Sequence, residues 1–159
     1  MTNTGHWRFA CALCAALMMQ RPYAQTPTIA LADVKALKCA FTLMATGTWE
    51  KAPAAQVKPA TLSMQFDSID TQEGTANVVD VSTVSAGAPH IIVRLLGDNL
   101  HLLAMNSSGS VYLTTVFADR EGRTTGKYKA VHTRHEFTQI QLPSFTSRPE
   151  QYYGFCEIQ

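Results

Sequence analysis

Net charge is almost absent from this chain. Thirteen lysine and arginine residues stand against 12 aspartate and glutamate residues, and charged residues make up only 16% of the 159. An electrostatic nucleic-acid binder of the usual kind carries a clear basic excess, so no nucleic-acid partner is expected. With 46% hydrophobic residues and a net charge of +1, the chain is not intrinsically disordered either. No apolar run reaches the roughly 20 residues that span a bilayer, so no transmembrane segment is expected. There is no G-x-S-x-G elbow, no phosphate-binding glycine loop and no dinucleotide fingerprint, so no nucleophile stands out and no cofactor is expected. Spatially assembled triads escape such a search, which leaves catalysis open.

What is present begins with a leader. Arg8 precedes an uncharged apolar run over 9–19 (FACALCAALMM), ended by Arg21 and Pro22. This is the pattern of a secretory signal peptide over 1–24, with Ala24 as the small residue before the cut. Ala30 and Ala32 are the alternative cleavage positions. The remainder, 25–159, is the length of one domain. Cleavage removes Arg8, Arg21, Cys11 and Cys14 and leaves a chain close to neutral. The Cys11-x-x-Cys14 pair lies inside the apolar run, so it is set aside as a redox or metal motif. The product is expected to be periplasmic or extracellular.

Cys39 and Cys156 remain, near the two ends of the mature domain. In an oxidising compartment an even count favours a disulfide over two buried thiols. Closing a loop of more than a hundred residues stabilises by about 4–5 kcal/mol in the chain-entropy model.

Residues 28–38 place Leu31, Val34 and Leu37 three apart, which predicts a short helical turn. Thereafter the period is two. Cys39, Phe41, Leu43 and Ala45 alternate with threonines over 39–49, and Leu62, Met64 and Phe66 alternate with Ser63, Gln65 and Asp67 over 61–69. Further strands are predicted at 75–85, 90–96, 100–105, 111–118, 127–137 and 152–158. Turn chemistry at 70–74, 97–99, 107–110 and 121–126 separates most of them, and such short loops make neighbours antiparallel. The proline-bearing stretches 52–59 and 142–149 read as long loops, because proline is excluded from central strands. Eight strands in this order predict an all-β fold: an eight-stranded antiparallel meander closed into a small barrel, flattened or incompletely closed, with a two-sheet sandwich as the alternative. An oxidised Cys39–Cys156 pair would make the first and last strands neighbours.

Gly47-Thr48-Trp49 resembles the glycine-x-tryptophan near the first strand of lipocalins and the wider calycin group. The resemblance covers three residues and implies at most a shared barrel architecture. Here the tripeptide falls at the end of the first predicted strand rather than near its start. Trp49 is read either as a ligand-site residue or as a packing cap at one end of the barrel.

The segment 127–137 holds the candidate chemistry. His132 and His135 are an odd number apart, so on a strand they face opposite sides and cannot share a metal; no metal site is expected. If Lys127 and Lys129 face water, then Tyr128, His132, Arg134 and Glu136 point inward, and Arg134 with Glu136 can neutralise each other. A bulge near Val131, or a position at the rim, would reverse that reading. Arg148 brings a planar fork suited to a carboxylate or phosphate, and Tyr152 brings an apolar ring with a polar tip. Residues 61–80 carry only acidic charge and 119–134 a basic surplus, which solvated faces explain, with a slight preference for anions the other reading. Asn106-Ser-Ser108 matches a glycosylation sequon.

The first expectation for function is an exported binding barrel, not an enzyme, that takes a small, partly apolar ligand, with an anionic one as the further reading. Its candidate contacts are Trp49, Tyr128, His132, Arg134, Glu136, Arg148 and Tyr152. The second is a cell-envelope interaction or structural module with a protein partner. The third is a hydrolase or isomerase with His132 as general base.

Overall fold

A computed structural model of the chain describes residues 30–48, 52–81, 90–107, 109–121, 126–140 and 144–159; for 80, 81, 137–140 and 144–148 the description covers the backbone only. Eight antiparallel strands form one ring-like sheet in chain order: β1 (Leu37–Thr48), β2 (Ala54–Asp70), β3 (Thr75–Val81), β4 (Ile91–Leu96), β5 (Asn99–Met105), β6 (Val111–Arg120), β7 (Lys127–Ile140) and β8 (Ser144–Ile158). The ring closes where β1 meets β8, and Cys39 stands directly opposite Cys156 on that seam. Their Cα atoms are 4.0 Å apart and their sulfurs lie at disulfide-bonding distance, 1.93 Å. The sandwich alternative is thereby excluded.

Alternation produces the core. Leu37, Cys39 and Phe41 on β1, Leu62, Met64 and Phe66 on β2, Leu100 and Leu102 on β5, and Tyr128, Ala130 and His132 on β7 all turn inward and are buried. The residues between them, such as Lys38, Ser63, Arg94 and Lys129, are exposed. An apolar inside with charged groups outside is the reverse of a lipid-facing barrel. Among the described residues no helix is long and apolar enough to cross a membrane.

The expected helical turn is a short 3-10 segment, η1 (Leu31–Asp33). Leu31 and Val34 are 4% and 1% exposed. The Ala32 carbonyl accepts a hydrogen bond from Thr71 Oγ1, so this segment plugs one end of the ring. At the same end Gly97 and Asp98 both have positive φ, 55° and 64°, the signature of a type I′ hairpin turn between β4 and β5.

The ring is uneven. Among the described residues, β3 meets β4 only at Thr75↔Ile92 and Ala76↔Ile91. By contrast, β7 and β8 pair from Lys127↔Glu157 to Ile140↔Ser144 without interruption. Two expectations need correction here. Within 52–59, residues from Ala54 onward belong to β2, and within 142–149, residues from Ser144 onward belong to β8. Both prolines sit where a ladder is interrupted or ended. Pro59 adjoins the register shift opposite Phe41/Leu43. Pro149 lies just beyond the last β1–β8 rung, Thr46↔Glu150, and its carbonyl accepts from Thr46 Oγ1. A missing N–H costs little at such points.

Candidate functional site

The inner face of β7 changes character along its length. Register sets out the change in rows. Thr114 (β6), His132 (β7), Tyr152 (β8) and Met44 (β1) occupy one row. Tyr112, Arg134, Glu150 and Thr46 occupy the next row away from η1. No shift occurs in β7–β8, so the inward reading of Tyr128, His132, Arg134 and Glu136 holds. The irregularity lies instead on β6, between Val116 and Arg120. His135 is exposed and His132 buried, on opposite faces.

His132 is 3% exposed. Its Nδ1 is 2.9 Å from Thr114 Oγ1. Its ring lies 5.8 Å from Phe41, 6.0 Å from Tyr152 and 6.5 Å from a stacked Tyr112. Burial, and secondarily the Arg134 charge, lowers its pKa from 6.5 to about 4. His132 is therefore neutral at pH 7. The unfolded chain takes up this proton near pH 6.5, and the folded chain resists it until about 4. Stability from this group is thus fully present above pH 6.5 and declines as pH falls through that window. We expect a loss of at most about 3 kcal/mol. Urea unfolding at pH 7 and pH 4.5 checks this: His132→Gln should show a smaller pH-dependent loss than the parent, and an equal loss would refute the assignment.

Beyond His132 the interior becomes polar. Arg134 Nη2 pairs with Glu136 Oε1, and Nη1 lies 3.9 Å from Glu150 Oε2. The Tyr152 hydroxyl donates to Glu150 Oε2 at 2.7 Å and accepts from Arg134 Nη1 at 3.4 Å. The Tyr112 hydroxyl donates to Glu136 Oε1 at 3.3 Å. Burial first, and then the neighbouring carboxylate, raises the pKa of both phenols. They therefore stay protonated as donors. Burial alone would lower the Arg134 pKa, but its hydrogen bond and charge contact with Glu136 outweigh that and raise it. The Arg134 side chain is 13% exposed, Glu150 23% and Glu136 36%, so the cluster grades from interior to solvent. Arg134 Nε is buried and, among the described residues, has no hydrogen-bond partner.

The candidates thus divide. His132, Arg134, Glu136 and Tyr152 come together. Tyr128 lies at the plugged end, opposite Cys156 and Arg120. There the Arg120 guanidinium covers its ring at 4.6 Å and donates to its hydroxyl. A small cleft of about 130 Å³ runs between these two residues, Leu31 and Leu95. Arg148 takes the rung opposite Glu136, but its side chain, like all of Trp49, lies outside the described residues. Sequence reasoning missed Glu150, Tyr112 and Thr114. The period-two spacing of Glu150 and Tyr152 is the available signal, lost where the last strand is expected to begin only at Tyr152.

Among the described residues no group of three or more His, Cys, Asp or Glu stands close enough to hold a metal ion. Comparison with protein-family models and with curated proteins finds no match.

Proposed function

We propose that this chain is an exported, non-catalytic binding barrel. It takes a small, partly apolar ligand at the end of the ring opposite η1, against Tyr112, Tyr152, Arg134, Glu136 and Glu150. The observation that carries this reading is the graded polar cluster on an otherwise apolar inner face. A buried ionic network costs desolvation energy that well-packed apolar residues would avoid. Its partial exposure gives a ligand access, and its aromatic neighbours supply apolar contact. Export is supported by the leader over 1–24 and by the Cys39–Cys156 pair at bonding distance. A cut after Ala24 leaves the plug whole, whereas a cut after Ala32 would remove the buried Leu31.

An anionic ligand drawn by a free Arg134 loses support, because Glu136 and Glu150 already face that guanidinium. His132 as general base has the least support, being stacked among rings and almost fully buried. The envelope-module reading draws on one feature. Leu43, Val57 and Tyr153 are 41%, 66% and 39% exposed. They sit on neighbouring rungs of the outer face of β2, β1 and β8.

The test is native mass spectrometry of protein purified under mild conditions from the periplasm or medium of its own host. A retained small molecule, lost from Glu150→Ala, is expected. A bare polypeptide mass with a co-purifying protein, abolished by Tyr153→Asp, would replace binding with the envelope-module reading.

A further inference from the structure

The hydrogen-bonding inventory of this cluster narrows the chemistry of its ligand, an inference that rests on the binding-barrel reading. Among the described residues, Arg134 keeps one buried donor, Nε–H, without a partner. Buried donors left unmade are uncommon and costly, so this atom asks for an acceptor. Around it, Glu136 accepts through Oε1 from Tyr112 and Arg134, and Glu150 accepts through Oε2 from Tyr152. Among the described residues the second oxygen of each carboxylate, Glu136 Oε2 and Glu150 Oε1, accepts no protein hydrogen bond, so these atoms stay open to a donor from water or from a ligand. Each lies on a partly exposed side chain.

Charge decides among ligand groups that meet both demands. A carboxylate or phosphate would satisfy Nε–H, but it would enter beside two carboxylates. In a partly buried site, where the effective dielectric is well below that of water, such like-charge approach is strongly unfavourable. An ammonium would satisfy the carboxylate oxygens, but it would leave Nε–H unmade and meet the Arg134 charge. His132 is neutral at pH 7 and alters neither balance. Lys58 stands on the rung opposite Met44 and Arg148 on the rung opposite Glu136, so neither sign of charge stands alone on these rows. A hydroxyl accepts through its oxygen and donates through its proton, and it brings no charge. We infer that the group read by Arg134, Glu136 and Glu150 is an uncharged hydroxyl, carried on a ligand with an apolar face that meets the tyrosine rings.

Three probes that share a benzyl group separate the possibilities: benzyl alcohol, phenylacetate and benzylamine, titrated at pH 7 into the full mature chain. The Arg134 Nε–Hε resonance and the His132 and Tyr152 backbone amides report occupancy. Benzyl alcohol should shift the Arg134 Nε–Hε signal and bind about fivefold or more tightly than either charged probe, the scale of one hydrogen bond. If phenylacetate or benzylamine moves that signal at equal or lower concentration, the hydroxyl assignment falls and the binding site stands. If none of the three perturbs these resonances up to its solubility limit, the site reading itself falls.

Discussion

Replacing Cys39 and Cys156 together by alanine is expected to lower stability by about 5 kcal/mol and the melting temperature by roughly 15 °C. The cysteines are 117 residues apart in sequence. Their cross-link therefore removes loop-closure entropy from almost the whole domain when it is unfolded. Location adds to this. Among the described residues the ring is thinnest between β3 and β4, where two rungs are made. The cysteine pair locks a different seam, between β1 and β8, where an unlinked ring would be free to part at its chain ends. Both residues are 0% exposed, so a reductant reaches the bond only after local opening. Thermal unfolding by circular dichroism, with and without reductant, measures the effect. Thiol labelling of the folded mature chain should find no free cysteine. A double variant that loses less than about 1 kcal/mol would show that the cross-link does not hold the seam.

That seam was legible because it needed only chain order and chemistry. One cysteine lay on the first alternating segment and one on the last, and a meander that closes brings those segments together. The apolar alternation of Leu62, Met64 and Phe66 was equally direct, since each is buried on β2. Strand extents were not legible. Pro59 and Pro149 mark loops by composition, yet proline disrupts a ladder only where its missing N–H is needed, and that depends on register. Register across β7 and β8 depends in turn on where the hairpin turns, which the composition of 142–149 obscured. For the same reason nothing in the residue pattern places Glu150 beside Arg134 or Tyr112 beside Glu136. Those residues are separated by 16 and 24 positions and meet only through rungs. His132 and Arg134 could be assigned to one face from period two alone, but the neutralising carboxylate at position 150 could not. The pairing of Arg134 with Glu136 follows from period two, but the second carboxylate, Glu150, does not, so an anionic ligand stays open from sequence alone.

Gly154→Ala is expected to be the most damaging single-methyl change in the described part of the chain, costing about 3 kcal/mol or more and failing to accumulate as folded protein if stability is marginal. Gly154 lies opposite Phe41, at the point where β1 slips register between Phe41 and Leu43. The slip presses the β1 backbone toward β8. A Cβ added at 154 would lie 2.0 Å from the Ala40 carbonyl oxygen, 2.6 Å from Phe41 Cα and 2.9 Å from the Ala40 carbonyl carbon. All three are backbone atoms, so no side-chain rotation relieves the clash; β1 itself must move. It would move within two residues of the Cys39↔Cys156 rung, and it carries the buried Phe41 ring that packs against His132. Overpacking, a displaced seam and a disturbed candidate site therefore follow from one methyl group. Gly47→Ala, on the same strand β1, is the matched control. Its new Cβ would meet Pro149 Cγ at 3.6 Å and the Ala54 carbonyl oxygen at 4.0 Å, which is ordinary contact. Glycine within a strand also loses more conformational freedom on folding than alanine, so Gly47→Ala should change stability by less than about 1 kcal/mol, in the stabilising direction if at all. Soluble yield, melting temperature and free-thiol content of the two variants make the comparison. If Gly154→Ala matches Gly47→Ala in all three, the close approach of β1 and β8 is not what closes this ring.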